Sequence, residues 1–125
     1  MADKTRYFPE KSENTDNAWA HRFNLAHKAP TSDLLKGKTL CIKDNICVAG
    51  VPCLIGTDTF SGWVPKMDAT VVSRILETGG IITGKAVCEN LSTSAASFTA
   101  ATGRLTIHTQ RATVPVVAAL ELQIL

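Results

Sequence analysis

Neither sign of charge dominates this sequence. Thirteen Lys and Arg against eleven Asp and Glu leave a formal net charge of +2 over 125 residues, too little for an electrostatic footprint on nucleic acid. No run approaches the roughly 18–20 consecutive apolar residues of a membrane span. The first thirty residues also lack the apolar core of a secretory leader. Apolar residues make up 45% and charged residues 19%, a balance that argues against intrinsic disorder. These absences predict one small soluble domain of the cytoplasm, with no nucleic-acid and no membrane partner.

A close-set C-x-x-C pair is missing as well. Cys41, Cys47 and Cys53 stand six residues apart, Cys88 is distant, and His21, His27 and His108 lie far from them in sequence. Without a secretory context the thiols are expected to be reduced, and their spacing does not suggest a metal site. They are read as small apolar packing residues, with a structural zinc as the weaker alternative. No cofactor is expected.

Residues 1–15 are polar, of mixed charge and without periodicity, which predicts a loose terminus. A helix is expected from about Asp16 to His27, capped by Asp16, with Trp19, Phe23 and Ala26 at i, i+4 and i+7 on one face. Pro30 and the turn-forming Thr31-Ser32-Asp33 would end it. Lys38 to Ile46 reads as a strand running into an Asp44-Asn45 turn. Ala49-Gly50-Val51-Pro52 supplies a second turn, and residues 60–65 an irregular loop. The best helix signal follows: Asp68 as cap, Val72, Ile75 and Leu76 as an apolar stripe, and Gly79-Gly80 as a left-handed stop. Ile81-Ile82-Thr83-Gly84 then reads as a short buried strand. Strand, helix and strand in this order predict an α/β layered fold. From Asn90 to Gly103 small residues without periodicity, Ser92, Ser94 and Ser97 among them, read as a loop.

Lys43 carries two readings on residue pattern alone. One is a surface lysine beside a turn aspartate. The other is a desolvated amine at a strand end, and burial disfavours the charged form of a lysine, which lets such an amine serve as a base near neutral pH. Alternation puts Lys43 on the face of Cys41, opposite Leu40 and Ile42. Periodicity does not choose between the two.

The order and spacing of several motifs resemble the opening of an amidase signature enzyme. They are Leu35-Lys36-Gly37-Lys38, Ile42-Lys43-Asp44-Asn45-Ile46, Val48-Ala49-Gly50-Val51-Pro52 and Gly56-Thr57. Gly62-Trp63-Val64-Pro65, Asp68-Ala69-Thr70-Val71-Val72 and Gly80-Ile81-Ile82-Thr83-Gly84-Lys85 continue the likeness. Cys88-Glu89-Asn90-Leu91 and Thr102-Gly103 extend it, so that it covers residues 17–103. The variant is more similar to amidases of small aliphatic and aromatic carboxamides than to the transamidosome subunit of the same family.

The resemblance implies an α/β/α layered fold, a mixed sheet flanked by helices, of which residues 16–103 form an incomplete N-terminal part. It implies a Ser–cis-Ser–Lys triad in which Lys43 is the base and a small carboxamide the substrate. Lys85, at the end of a strand in the same scheme, is given a structural role. Ser92, Ser94 and Ser97 come too early to match the triad serines.

After Thr102-Gly103 such an enzyme continues with a Pro, an Asn-Pro pair and a Gly-Gly-Ser-Ser loop. Residues 104–125 read RLTIHTQRATVPVVAALELQIL instead. When the last base of each codon is joined to the first two of the next, from the Gly103–Arg104 junction onward, permitted codons spell those missing elements in that order. Residues 104–125 are therefore expected to be an aberrant, out-of-frame tail. A chain that keeps only the lysine of the triad is expected to fold poorly alone, with part of its core and its sheet edges uncovered, and to be inactive on amides. The alternatives are a non-catalytic binding or regulatory fragment, and a fragment of the A-type chain of a glutamyl-tRNA(Gln) amidotransferase. Sequencing genomic DNA and transcript across the Gly103 codon is expected to reveal a stop-free shifted frame that encodes the serine loop. Its absence would refute the out-of-frame reading.

Overall fold

The computed structural model describes residues 3–7, 13–14, 17–59, 63–93, 99–103 and 123–124. In chain order the elements among them are β1 (Asp3–Tyr7), β2 (Trp19–Ala26), β3 (Thr39–Lys43), α1 (Thr70–Glu77), β4 (Ile81–Ala86) and β5 (Gln123–Ile124). A short 3-10 turn spans Asn90–Ser92. The strands form one mixed sheet in the order β1-β2-β4-β3-β5. Only the β3–β4 pair among these strands is parallel; β1–β2, β2–β4 and β3–β5 are antiparallel. β3, α1 and β4 thus make the strand–helix–strand unit expected from the sequence, with both parallel strands interior to the sheet.

The helix expected over residues 16–27 is instead β2. Trp19, Phe23 and Ala26 fit a helical stripe, but His21, Phe23 and Leu25 are the buried residues, and they recur with period two. That alternation fills one face of a strand, and β2 uses its backbone to pair with β1 on one side and β4 on the other. Partners on both edges override a weak helical pattern. The sheet also begins earlier than the sequence suggests, because residues 3–7 pair along β2 as an edge strand where a loose terminus is expected. Asp16 lies outside the described residues.

The helix signal at residues 68–80 is realised with one correction. Val72, Ile75 and Leu76 are the buried face of α1. At its end the Gly80 N–H donates to the Ile75 carbonyl (2.9 Å) and the Gly79 N–H to the Leu76 carbonyl (3.1 Å). Gly79 has φ +85°, the left-handed residue this closing motif needs. Asp68, however, does not cap the helix. Ala69 occupies the cap position with no side-chain bond, and Asp68 Oδ1 accepts the Ala49 N–H at 2.6 Å. Its carboxylate fastens a distant turn instead.

The core gathers Phe23 and Leu25 from β2, Leu40 and Ile42 from β3, Ile82 from β4 and the α1 stripe, with Val48 and Val51 from the connecting loop. β3 and β4 are not in simple register. Leu40 pairs with Ile82 but Cys41 pairs with Gly84, so Thr83 is an extra residue in β4. This bulge lets Ile82 and Lys85, three residues apart, both lie beside the buried residues of β3. Burying an Ile or Leu side chain is worth about 1.5–3 kcal/mol. Ile82→Ala is therefore expected to lower unfolding stability by about 2–5 kcal/mol, read as a shifted denaturant midpoint. Leu34→Ala, at a side chain 79% exposed, should leave that midpoint nearly unchanged.

Candidate active site

Lys43 is the last residue of β3, at the point where the chain leaves the sheet. It is half-buried, on the face of Thr39 and Cys41 and opposite the fully buried Leu40 and Ile42. Among the described residues no hydrogen bond or ion pair holds its ammonium. The turn that follows is fixed by backbone bonds: the Ile46 N–H donates to the Lys43 carbonyl at 2.9 Å, and the Asp44 N–H to the Ala86 carbonyl at 2.9 Å. Two residues on, Asn45 Oδ1 is buried with no hydrogen-bond partner among the described residues.

Beneath this turn, on the core face, lie two fully buried charges. Lys85 Nζ is 2.9 Å from Asp44 Oδ1, with side chains 0% and 1% exposed. The two touch as an ion pair without a well-aligned hydrogen bond to either carboxylate oxygen. Nζ also donates to the Pro52 carbonyl at 3.2 Å, and the Cys53 thiol donates to the Asp44 carbonyl at 2.9 Å. His21, buried on β2, is in register with Lys85. Removing one partner of such a pair strands a charge in the interior, at a cost of about 3–5 kcal/mol. The structural role expected of Lys85 takes this form, a pairing with Asp44 that the sequence did not disclose.

The loop from Asp44 onward is stitched to its surroundings rather than left open. The Ala69 N–H donates to the Cys47 carbonyl, the Gly50 N–H to the Pro65 carbonyl and the Cys53 N–H to the Trp63 carbonyl, each at 2.9 Å. Gly56, with φ +69°, brings its backbone so close to the segment after β4 that a Cβ would collide with the carbonyl oxygens of Cys88 and Glu89. Across that segment the buried Glu89 carboxylate accepts both the Thr99 N–H (3.0 Å) and the Thr99 hydroxyl. Ser92 is exposed, with its N–H on the Glu89 carbonyl at 2.8 Å. That bond ties it to its own turn and not to Lys43. Ser94, Ser97 and residues 104–122 lie outside the described residues.

The four cysteines are free thiols, Cys53 and Cys88 buried and Cys41 and Cys47 half-buried. Among the described residues no three His, Cys, Asp or Glu side chains gather as a metal site, and no helix is long and apolar enough to cross a membrane. Burial pushes the Cys41 thiol up to about 11, against the opposing pull of a backbone hydrogen bond from Ala86 and the nearby Lys43 charge. Burial likewise raises the Cys53 thiol, partly offset by Lys85.

The family model described as Amidase matches residues 5–109. An enantioselective amidase of Rhodococcus rhodochrous is 39% identical over 97 residues, which are 78% of this chain and 18% of that protein. An indoleacetamide hydrolase of Pseudomonas syringae pv. syringae is 37% identical over 71 residues, 57% of this chain and 16% of its own. The A-type chain of a glutamyl-tRNA(Gln) amidotransferase from Rhodopirellula baltica is 33% identical over 104 residues, 74% of this chain and 21% of its own. The chain thus spans about a fifth of the length of the curated relatives it matches.

The Cys41 thiol gives a test of this packing. A folded-state value raised from 9.0 to about 11 contributes stability that is present below pH 9 and lost as pH rises through 11. In the native chain, iodoacetamide alkylation of Cys41 is therefore expected to be slow at pH 8 and to accelerate only as pH approaches 11, as peptide mapping would show. Alkylation at pH 8 as fast as in urea-unfolded chain would contradict the packing described.

Proposed function

The chain belongs to the amidase signature family, and on that premise we propose that it is the N-terminal portion of an enzyme that hydrolyses carboxamides to acid and ammonia. Lys43 is the general base of a Ser–cis-Ser–Lys triad, and the two serines belong to the Gly-Gly-Ser-Ser region that the family pattern puts after Thr102-Gly103. Residues 104–125 are an out-of-frame replacement of that region, so this chain alone is inactive. One observation carries the reading. Within the family's Ile-Lys-Asp-Asn motif, the lysine ends an interior strand, stands half-buried on the side away from the core, and has no counter-ion among the described residues.

The chemistry asks for such an amine. The Lys43 lone pair takes a proton from the bridging serine, which in turn takes the proton of the nucleophilic serine as its oxygen attacks the amide carbon. Backbone N–H groups of the serine loop hold the oxyanion. As the tetrahedral intermediate collapses, the C–N bond breaks and the nitrogen leaves as ammonia with the relayed proton. Water then adds to the acyl ester by the same relay and releases the acid. The substrate is a small carboxamide. The 33% identity to the Rhodopirellula baltica amidotransferase chain over 74% of this chain favours a second reading, a component that passes ammonia to a charged tRNA, and co-purifying partner chains would distinguish it.

Purified chain is expected to show no turnover of a simple carboxamide such as phenylacetamide; measurable turnover would refute the inactive assignment. Residues 1–103 joined to the serine-bearing remainder of the Rhodococcus rhodochrous amidase are expected to hydrolyse it. In that hybrid Lys43→Ala should lower kcat by about 10²–10⁴-fold. Retention of full activity by the Lys43→Ala hybrid would end the assignment of Lys43 as base.

A further inference from the structure

Asp44 is engaged at its N–H, its carbonyl and its carboxylate, the last by charge pairing alone. Its N–H is on Ala86, its carbonyl receives the Cys53 thiol, and its carboxylate sits against Lys85. Lys85 reaches past it to the Pro52 carbonyl, so one ammonium joins the end of β3, the loop after it and its own strand β4. Lys43, one residue earlier, inherits the geometry of this clamp through its own carbonyl bond to Ile46. The carboxylate next to it in sequence is engaged on the opposite face of the sheet.

We infer that Lys85 is a positioning residue for Lys43: by clamping and neutralising Asp44 it fixes the turn that presents the Lys43 amine and keeps the Asp44 carboxylate from becoming its counter-ion. The inference rests on the reading of Lys43 as a base. The charged and titratable groups nearby are Cys41 on the face of Lys43, Lys85 and Cys53 against Asp44, His21 in register with Lys85, and Cys47 beside Cys53. A carboxylate left unpaired by loss of Lys85 would favour Lys43 as ammonium, whereas loss of the carboxylate would leave the Lys85 charge unopposed and disfavour a second ammonium nearby.

The test uses this chain and trace acylation by acetic anhydride at pH 8, which reports the share of free amine. Lys43 labelling is measured by peptide mapping and normalised to the exposed Lys66, with circular dichroism as the check on folding. Lys85→Met is expected to slow Lys43 labelling about three- to tenfold, and Asp44→Asn to speed it by a similar factor, since one pKa unit is tenfold in free amine. The double variant should return to within about twofold of the parent. A pair that only held the fold together would loosen the turn in either single variant and speed labelling in both. That outcome, or no change in either, overturns the inference. If Lys85→Met fails to fold, Asp44→Asn and the double variant decide: faster labelling in the first with parental labelling in the second supports the inference, and equal acceleration in both overturns it. Labelling needs no serine, so failure here leaves Lys43 as base standing, while an active Lys43→Ala hybrid would sink that reading whatever the labelling shows.

Discussion

A buried ammonium demands a counter-charge, and here that demand organises the part of the sheet from which the chemistry is proposed to come. Lys85 sits in the central strand with no exposed surface, and the Asp44 carboxylate that answers it belongs to the turn after the neighbouring strand. The pair is weak as a source of net stability, because desolvating both ions offsets most of their attraction. Its effect is specificity of arrangement. The ion pair joins the backbone bonds from Asp44 to Ala86 and from Ile46 to Lys43 at the point where β3 stops and Lys43 stands.

Much of this was legible in the residues, and the reasons for the rest are physical. The run from Val72 to Gly80 was readable because stripe, stop and following strand agree with one another, and mutual agreement of local signals is what a helix boundary needs. β2 was misread because Trp19, Phe23 and Ala26 satisfy a helical spacing while His21, Phe23 and Leu25 satisfy a strand spacing. A polar histidine in the alternating set concealed the period that tertiary pairing selected. Asp68 has the chemistry of a cap and the right distance from α1, yet the Ala49 amide competes for the same oxygen. Lys43 and Lys85 each stand beside apolar residues near a strand end, and pattern alone could not say which is wholly enclosed. That distinction arises from the bulge at Thr83, which leaves no mark in a hydrophobic pattern.

Within the segment that matches the family, the proposed lysine is enclosed by elements near to it in sequence. β3, α1 and β4 fall within residues 39–86, and the loop between β3 and α1 is closed by bonds to its own later part, from Cys47 to Ala69 and Gly50 to Pro65. The partners that fix the Lys-Asp-Asn turn, Lys85 and Ala86, fall within the same unit. The chain covers about a fifth of its relatives' length, yet the lysine of the proposed relay is already held within a sheet and its flanking loops.

The extra residue in β4 carries an evolutionary corollary. Strand pairing has a parity: with its present length drawn into regular pairing, β4 would turn Lys85 through the sheet to the side of Lys43, whereas dropping Thr83 would leave Ile82 and Lys85 two residues apart and on one face. A one-codon deletion there therefore preserves the polarity of the two surfaces, while a strand of the present length that lost its bulge would exchange it. Length and bulge in this short stretch should therefore be inherited together, whatever residue stands at position 83.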